Sequence, residues 1–220
     1  MEEIFENVFK HKGEIFTKNL SPGKRVYGEK LLIINGIEYR RWDPFRSKLC
    51  GAIMKGLNQM PIKRGSSVLY LGASTGTTVS HVSDIVEKEG TVFAVEVSPK
   101  MINELIENVA KYRENVVPIL ANARVPKEYA EIGMVDVIYQ DVAQPDQAEI
   151  LIKNADMFLR EGGFAMMCVK SQSIDVTVNA KETYKKVEQT LSKTFDILEK
   201  IELSPYDKEH EFVVMKKKSK

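Results

Sequence analysis

The sequence predicts an α/β fold: a mainly parallel sheet whose last strand runs antiparallel, with a small β domain in front of it. Three observations carry this. From Gly65 onward, short apolar runs alternate with stretches of helical periodicity, the pattern of a parallel sheet layered with helices. The last two apolar runs are joined only by Ser204-Pro205-Tyr206-Asp207-Lys208-Glu209. That is too short for a parallel crossover, which takes about a dozen residues, so the final strand must turn back. The first 45 or so residues break the alternation with short strand patterns and a two-residue hairpin signal. The expected division is a small N-terminal β domain over 1–45 and the main α/β domain over 46–220.

In chain order, Ile4 to Phe9, Glu14 to Asn19, Leu31 to Ile34 and Ile37 to Trp42 read as strands, with Asn35-Gly36 as a tight turn. At Trp42-Asp43-Pro44 the pattern changes. Asp43 is the expected N-cap and Pro44 the first position of a helix carrying Leu49, Ile53 and Leu57. Val68 to Leu71 is a buried strand leading into a glycine loop, and Val79, Val82 and Val86 follow on one helical face. Thr91 to Glu96 is the next strand. Ser98 caps, and Pro99 opens, a helix with Ile102, Leu105, Val109 and Ala110. Val116 to Leu120, Val135 to Tyr139 and Phe164 to Val169 continue the sheet. A helix of Leu151, Ala155, Phe158 and Leu159 is expected to close at Glu161-Gly162-Gly163, and Ala180, Tyr184, Val187 and Leu191 form the last helical face. Phe195 to Leu203 and Glu211 to Met215 are the final strands. The antiparallel turn sets His210 at the carboxyl edge of the parallel strands, where open α/β sheets bind ligands.

Composition narrows the class. With 43% hydrophobic and 29% charged residues among 220, the chain is neither disordered nor low in complexity, and no apolar run approaches the roughly 18 residues of a membrane span. No membrane partner is expected. The acidic start MEEIFENVF is unlike a signal peptide, and Cys50 and Cys168 lie far apart, so a reducing, cytoplasmic setting is expected. Lacking paired cysteines and having only His11, His81 and His210, the chain is expected to hold no metal. A net charge of +1 exerts no global pull on nucleic acid. Lys24-Arg25, Arg40-Arg41, Arg46, Lys48, Lys63-Arg64 and the lysine-rich tail read either as local phosphate contacts or as solvated side chains.

The stretch VLYLGASTGTTVSHVSD, Val68 to Asp84, admits two chemistries. Gly72-Ala73-Ser74-Thr75-Gly76 fits the G-x-S-x-G elbow of hydrolases, with Ser74, Asp141 and His210 in the order of a triad. Three features oppose it: no HGGG-like segment supplies a second oxyanion donor, the elbow would sit on the first strand of the sheet, and an acidic residue closes the next strand. That residue, Glu96, falls where a ribose-hydroxyl ligand belongs in a nucleotide-binding β-α-β unit. Ser74 stands in place of the middle glycine of G-x-G-x-x-G, which hinders close pyrophosphate approach and weighs against a nicotinamide cofactor. S-adenosylmethionine carries no phosphate. The helix start at Thr77-Thr78 suits its carboxylate, Glu96 its ribose hydroxyls, Asn122-Ala123 its adenine edge, and Asp141 its ammonium or the reaction centre. Each of these residues alone has a plain reading as capping or turn chemistry, which for Asn122 is as good as the binding one. The four together point to the methyl donor.

At these residues the sequence resembles fibrillarin, the 2′-O-methyltransferase of box C/D guide-RNA particles, over essentially the whole chain. WDPFRSKLCGAI at Trp42 to Ile53, VLYLGASTGTTVSHVSDIV at Val68 to Val86, VFAVEVS at Val92 to Ser98, GMVDVIYQDVAQPDQA at Gly133 to Ala148 and PYDKEH at Pro205 to His210 carry the likeness. Without a Gly/Arg-rich N-terminal extension it looks like the archaeal form. The resemblance implies a seven-stranded, Rossmann-like S-adenosylmethionine-dependent methyltransferase sheet with an antiparallel last strand, behind a small β domain. It implies a donor site of Gly72, Ala73, Ser74, Gly76, Thr77, Thr78, Glu96, Val97, Asn122, Ala123, Asp141 and Gln144. Where much of the family has Asp-Ala-Arg after the third strand, this chain has Asn122-Ala123-Arg124; an amide oxygen can still accept from the adenine amino group. The implied partners are a Nop-type scaffold protein, a kink-turn-binding ribosomal-type protein, box C/D guide RNA and an rRNA or tRNA target chosen by base pairing. A subunit that reads only backbone shape and ribose accords with a nearly neutral chain.

The resemblance also points to a catalytic Lys-Asp-Lys-His set, here Lys48, Asp141, Lys170 and His210. The element reading agrees on placement, with Asp141 and Lys170 ending parallel strands, His210 opening the antiparallel one and Lys48 arriving from the first helix. Methyl transfer to a ribose hydroxyl needs alignment within about 3 to 3.5 Å and a route for the proton. Lys170, crowded by the sulfonium and Lys48, is the expected acceptor or relay, oriented by Asp141, with Lys48 and His210 holding ribose and phosphate; the alternative gives the proton to Asp141. Two other functions remain open: a non-catalytic scaffold subunit of a ribonucleoprotein and a small-molecule methyltransferase.

Overall fold

The structure is a computed structural model that describes residues 1–174 and 179–219. Its first five strands, β1 (Glu2–Phe5), β2 (Val8–His11), β3 (Glu14–Lys18), β4 (Leu31–Ile34) and β5 (Ile37–Trp42), pair antiparallel in the order β1-β2-β3-β5-β4. The single strand expected over Ile4 to Phe9 is in fact a hairpin. Asn7, at φ +59°, turns the chain, and its amide donates to Ile85 O at 3.2 Å and Glu87 Oε1 at 3.0 Å. Asparagine tolerates left-handed backbone, and the apolar residues on both sides mask the turn in the sequence. Asn35-Gly36 closes β4 on β5 with φ of +51° and +77°, as a tight hairpin turn requires.

The helix after Trp42 starts later than expected. Asp43 spends its carboxylate on a local turn, accepting from Phe45 N at 3.0 Å, and Ser47 is the N-cap of α1 (Lys48–Met54). Leu57 lies beyond the helix, although it is buried. Then follow β6 (Ser67–Leu71), α2 (Thr77–Val86), β7 (Thr91–Glu96), α3 (Pro99–Asn108), β8 (Val116–Leu120), β9 (Val135–Gln140), α4 (Gln147–Phe158), β10 (Leu159–Lys170), α5 (Ala180–Leu191), β11 (Phe195–Glu202) and β12 (His210–Lys217). The cap of α3 is as expected, Ser98 Oγ accepting from Met101 N with Pro99 in the first turn. Val109 and Ala110 fall just past its end.

These seven strands form one sheet in the order β11-β12-β10-β9-β6-β7-β8, and β12 runs antiparallel to both β10 and β11. Leu159 is not the last residue of α4. It already pairs with Val135, and the register then slips so that Phe164 meets Val137. The glycines allow the slip: Gly162 has φ +68°, and a Cβ on Gly163 would sit 2.8 Å from Leu159 Cδ1.

Strand alternation splits the core in two. Val68, Tyr70, Val92, Ala94, Val137 and Tyr139 face one layer with Trp42, Leu49, Val79, Val82 and Leu105. Leu69, Leu71, Val95, Ile138, Met167 and Val213 face the other with Leu151, Phe158, Tyr184 and Leu191. The five-stranded sheet joins the first layer through a buried polar cluster on α2. Asp84 binds Arg40 at 2.8 Å and Arg113 at 3.0 Å, and Glu29 binds Arg40 at 2.6 Å. The Thr17 hydroxyl donates to Asp84 and sits 2.7 Å from His81 Nδ1, while His81 stacks on Trp42.

Candidate active site

The carboxyl ends of β6, β7, β8, β9 and β10 meet the start of β12 at one edge, where two adjoining crevices of about 330 Å³ each share Gly72, Ser74, Asp141, Val142 and Ala143. The glycine loop is shaped to let something close. Gly72 has φ +85°, and a Cβ there would lie 2.6 Å from the Asp141 carbonyl oxygen. Gly76, at φ +91°, leads into α2, and its Cβ would meet Val109 at 2.7 Å. Only glycine fits either position. The first-turn N–H groups of α2 therefore arrive at the loop with no side-chain cap, and Thr77 and Thr78 line the second crevice.

The first crevice is lined by Ser74, Glu96, Val97, Asn122, Ala123 and Gln144 among others. Both carboxylate oxygens of Glu96 are oriented, Oε2 accepting from Ser74 N at 2.8 Å and Oε1 from Ser98 N at 2.9 Å; each keeps a lone pair for a hydroxyl. Asn122 Oδ1 accepts from Arg124 N at 3.0 Å, which settles the amide's orientation: oxygen toward the turn, and a spare lone pair plus an NH₂ group for a heterocycle edge. Arg124 then reaches across to Asp146 at 2.8 and 2.6 Å and to Gln144 Oε1 at 2.7 Å, tying the loop after β8 to the loop after β9. Arg124 and Asp146 were not among the residues singled out from the sequence, since nothing in their spacing predicts the pair. A group with a flat base, a diol and a carboxylate fits this donor set, because each has a matched, oriented partner.

The second crevice gathers Lys48, Asp141, Lys170 and His210, with Arg46 and Tyr70. Four elements converge: α1 brings Lys48, the end of β9 Asp141, the end of β10 Lys170, and β12 His210, whose backbone pairs directly with Lys170. Lys48 Nζ donates to Asp141 Oδ2 at 3.0 Å and lies 3.7 Å from Asp207 Oδ2. Burial pulls the Lys48 ammonium down, but the Asp141 carboxylate above all outweighs it and holds the group well above the ordinary lysine value. Lys48 is thus a fixed cation. Burial, reinforced by Asp141, also pushes the Tyr70 hydroxyl and the Cys168 thiol well up, so both stay protonated. His210 Nδ1 lies 2.8 Å from Lys208 O and 2.9 Å from Asp207 Oδ1. Asp207 was missed in the sequence, although it stands inside PYDKEH.

The hydrolase reading finds no triad. Ser74 has the left-handed backbone of an elbow, φ +50°, but its N–H is held by Glu96, Asp141 is bound to Lys48, and the Nδ1 of His210 is taken by Asp207 and the Lys208 carbonyl. Ser74 is a wall shared by two crevices.

The chain is similar to known proteins over nearly its whole length. A fibrillarin-like rRNA/tRNA 2′-O-methyltransferase of Pyrococcus abyssi is 51% identical over 205 residues, 93% of this chain and 90% of that protein. A crystal structure of Aeropyrum pernix fibrillarin in complex with natively bound S-adenosyl-L-methionine is similar at a TM-score of 0.87 and 42% identity, covering 98% of this chain and 100% of that one. A fibrillarin/Nop5p complex is similar at a TM-score of 0.89 and 42% identity, with the same coverage. The family model described as Fibrillarin matches residues 1–219, so the loop, the Glu96 pocket and the Lys-Asp-Lys-His cluster sit in a chain that belongs to the fibrillarin family.

Proposed function

We propose that the chain is an S-adenosylmethionine-dependent 2′-O-methyltransferase of rRNA and tRNA, the catalytic subunit of a ribonucleoprotein in which box C/D guide RNA selects the nucleotide. The observation that carries this is the adjacency of the two crevices. One offers oriented partners for an adenosyl group; the other opens from the same Gly72–Asp141 wall onto two lysines, a carboxylate and an imidazole. When bound, the donor supplies an electrophilic methyl group on sulfur. Glu96 holds the ribose, Asn122 and Ala123 the adenine edge, and the start of α2 the carboxylate. Lys48, charged by virtue of Asp141, stays paired with it at the shared wall and offers its remaining protons to a phosphate or ribose oxygen.

The relatives support the assignment: one is named for rRNA/tRNA 2′-O-methylation, one holds S-adenosyl-L-methionine, and one is in complex with Nop5p. We therefore assign a Nop-type scaffold as partner, and with it a kink-turn-binding protein and guide RNA, in a reducing cytoplasmic setting; two buried free thiols and a net charge of +1 accord with this. The test is methyl transfer from labelled donor to a target oligonucleotide, with and without guide RNA and the two partner proteins. Modification of one guide-selected ribose, only in the assembled particle, is expected. Methylation of small molecules without RNA would overturn the guide-directed reading, and absence of donor binding by calorimetry would overturn the enzyme itself.

A further inference from the structure

Asp207 lies outside the catalytic set yet touches two of its members. Its Oδ1 is 2.9 Å from His210 Nδ1 and its Oδ2 is 3.7 Å from Lys48 Nζ. Nδ1 also lies 2.8 Å from the Lys208 carbonyl, and both neighbours are acceptors only, so Nδ1 must carry the proton. In the neutral ring the other nitrogen, Nε2, then holds a lone pair. It has no hydrogen-bond partner among the described residues, and His210 lines the same crevice as Lys48, Asp141 and Lys170. An imidazole fixed by a carboxylate at one nitrogen and open at the other is the arrangement of a general base and its orienting acid.

We infer that Asp207 is a positioning residue: it holds His210 as the Nδ1–H tautomer, tethers the ring to Lys48, and thereby makes His210 Nε2 the acceptor of the ribose hydroxyl proton. The inference rests on the proposed methyl transfer. As the 2′-oxygen bonds to the methyl carbon, the sulfur–carbon bond breaks and its electron pair stays on sulfur. The hydroxyl proton passes to Nε2, and the resulting imidazolium, facing Asp207, later releases it to water. The proton role expected for Lys170 thus goes to His210, and Lys170 lines the crevice beside the acceptor.

Two measurements test this. Long-range 1H–15N correlation on the full chain reads the tautomer of each of its three histidines without any turnover. His210 is expected as Nδ1–H; Asp207→Ala, leaving only the Lys208 carbonyl, is expected to add an Nε2–H form, and Asp207→Glu to restore the single one. An Nε2–H ring in the parent, or an unchanged spectrum in Asp207→Ala, overturns the inference. In the assembled particle, His210→Gln is expected to lower kcat about 100-fold and Asp207→Ala about tenfold, with KM for RNA and affinity for donor nearly unchanged. The parent should lose activity on the acid side, as the ring takes up a proton, and His210→Gln should lack that limb. Asp207 on the ring itself, with Arg46, Lys48, Asp141 and Lys170 lining the same crevice, are the other charged groups that face it. An acid limb that survives in His210→Gln therefore belongs to one of them and overturns the assignment. A particle that does not methylate at all would sink the proposed function, while the tautomer measurement still decides the role of Asp207.

Discussion

At the scale of single residues, the site is built from positions where one side chain and no other fits. Gly72 is the plainest case: its positive φ and the 2.6 Å from a would-be Cβ to the Asp141 carbonyl leave no room for alanine. Gly72→Ala is expected to displace the loop and weaken donor binding by about tenfold or more, read by calorimetry. Glu211 shows the electrostatic counterpart. Burial first, then Glu188, raise its carboxyl from the ordinary 4.5 to about 7 against the pull of Lys200, and its buried Oε2 has no hydrogen-bond partner among the described residues. The folded value lies above the unfolded one, so the folded chain holds the proton more tightly. Stability present below pH 4.5 is lost as pH rises through about 7. Glu211→Gln should therefore raise the melting temperature above pH 7 and change it little at acid pH; an equal shift at both would contradict this.

At the scale of elements, α2 is held from both ends. Its start follows the glycine loop, and its flank carries His81 and Asp84 into the five-stranded sheet. Thr17→Val keeps the shape but leaves His81 Nδ1 and an Asp84 oxygen each short of a partner, and is expected to cost about 1 to 3 kcal/mol in denaturant unfolding. Burial, aided by Arg40 and Arg113, holds the His81 imidazole well below its ordinary 6.5. The unfolded chain takes up that proton and the folded chain does not, so stability present above pH 6.5 is lost as pH falls below it. A parent whose unfolding midpoint is flat from neutral pH down through this window would contradict the buried, neutral ring.

At the scale of the whole molecule, the two sheets share one buried layer. Val8, Ile15 and Trp42 pack with Val79 and Val82, and Arg40 of one sheet is neutralised by Asp84 of a helix on the other. Separating them would break the Arg40–Asp84 pair and expose the shared apolar layer to water, which costs several kcal/mol. We therefore expect one cooperative thermal transition, with calorimetric and van't Hoff enthalpies equal; two resolved transitions would show that the sheets unfold independently.

How much of this the sequence determined by itself follows from the range of the forces involved. Alternation and helical periodicity are local, so the seven strands, the antiparallel return before His210 and the capped start of α3 were legible, as were the glycine loop and Glu96 one strand later. Boundaries set by a single hydrogen bond were not. Asp43 used in a turn moved α1 to Lys48, Asn7 split one apparent strand in two, and Leu159 left its helix to pair with Val135. The Lys-Asp-Lys-His residues were named, but not who holds whom: Lys48 binds Asp141 across 93 positions, and the unnamed pair Arg124 and Asp146 meets across 22. Side-chain partners at such separations are chosen only when the sheet brings strand ends together, because charge and hydrogen bonding act over a few ångströms in space and are blind to distance along the chain.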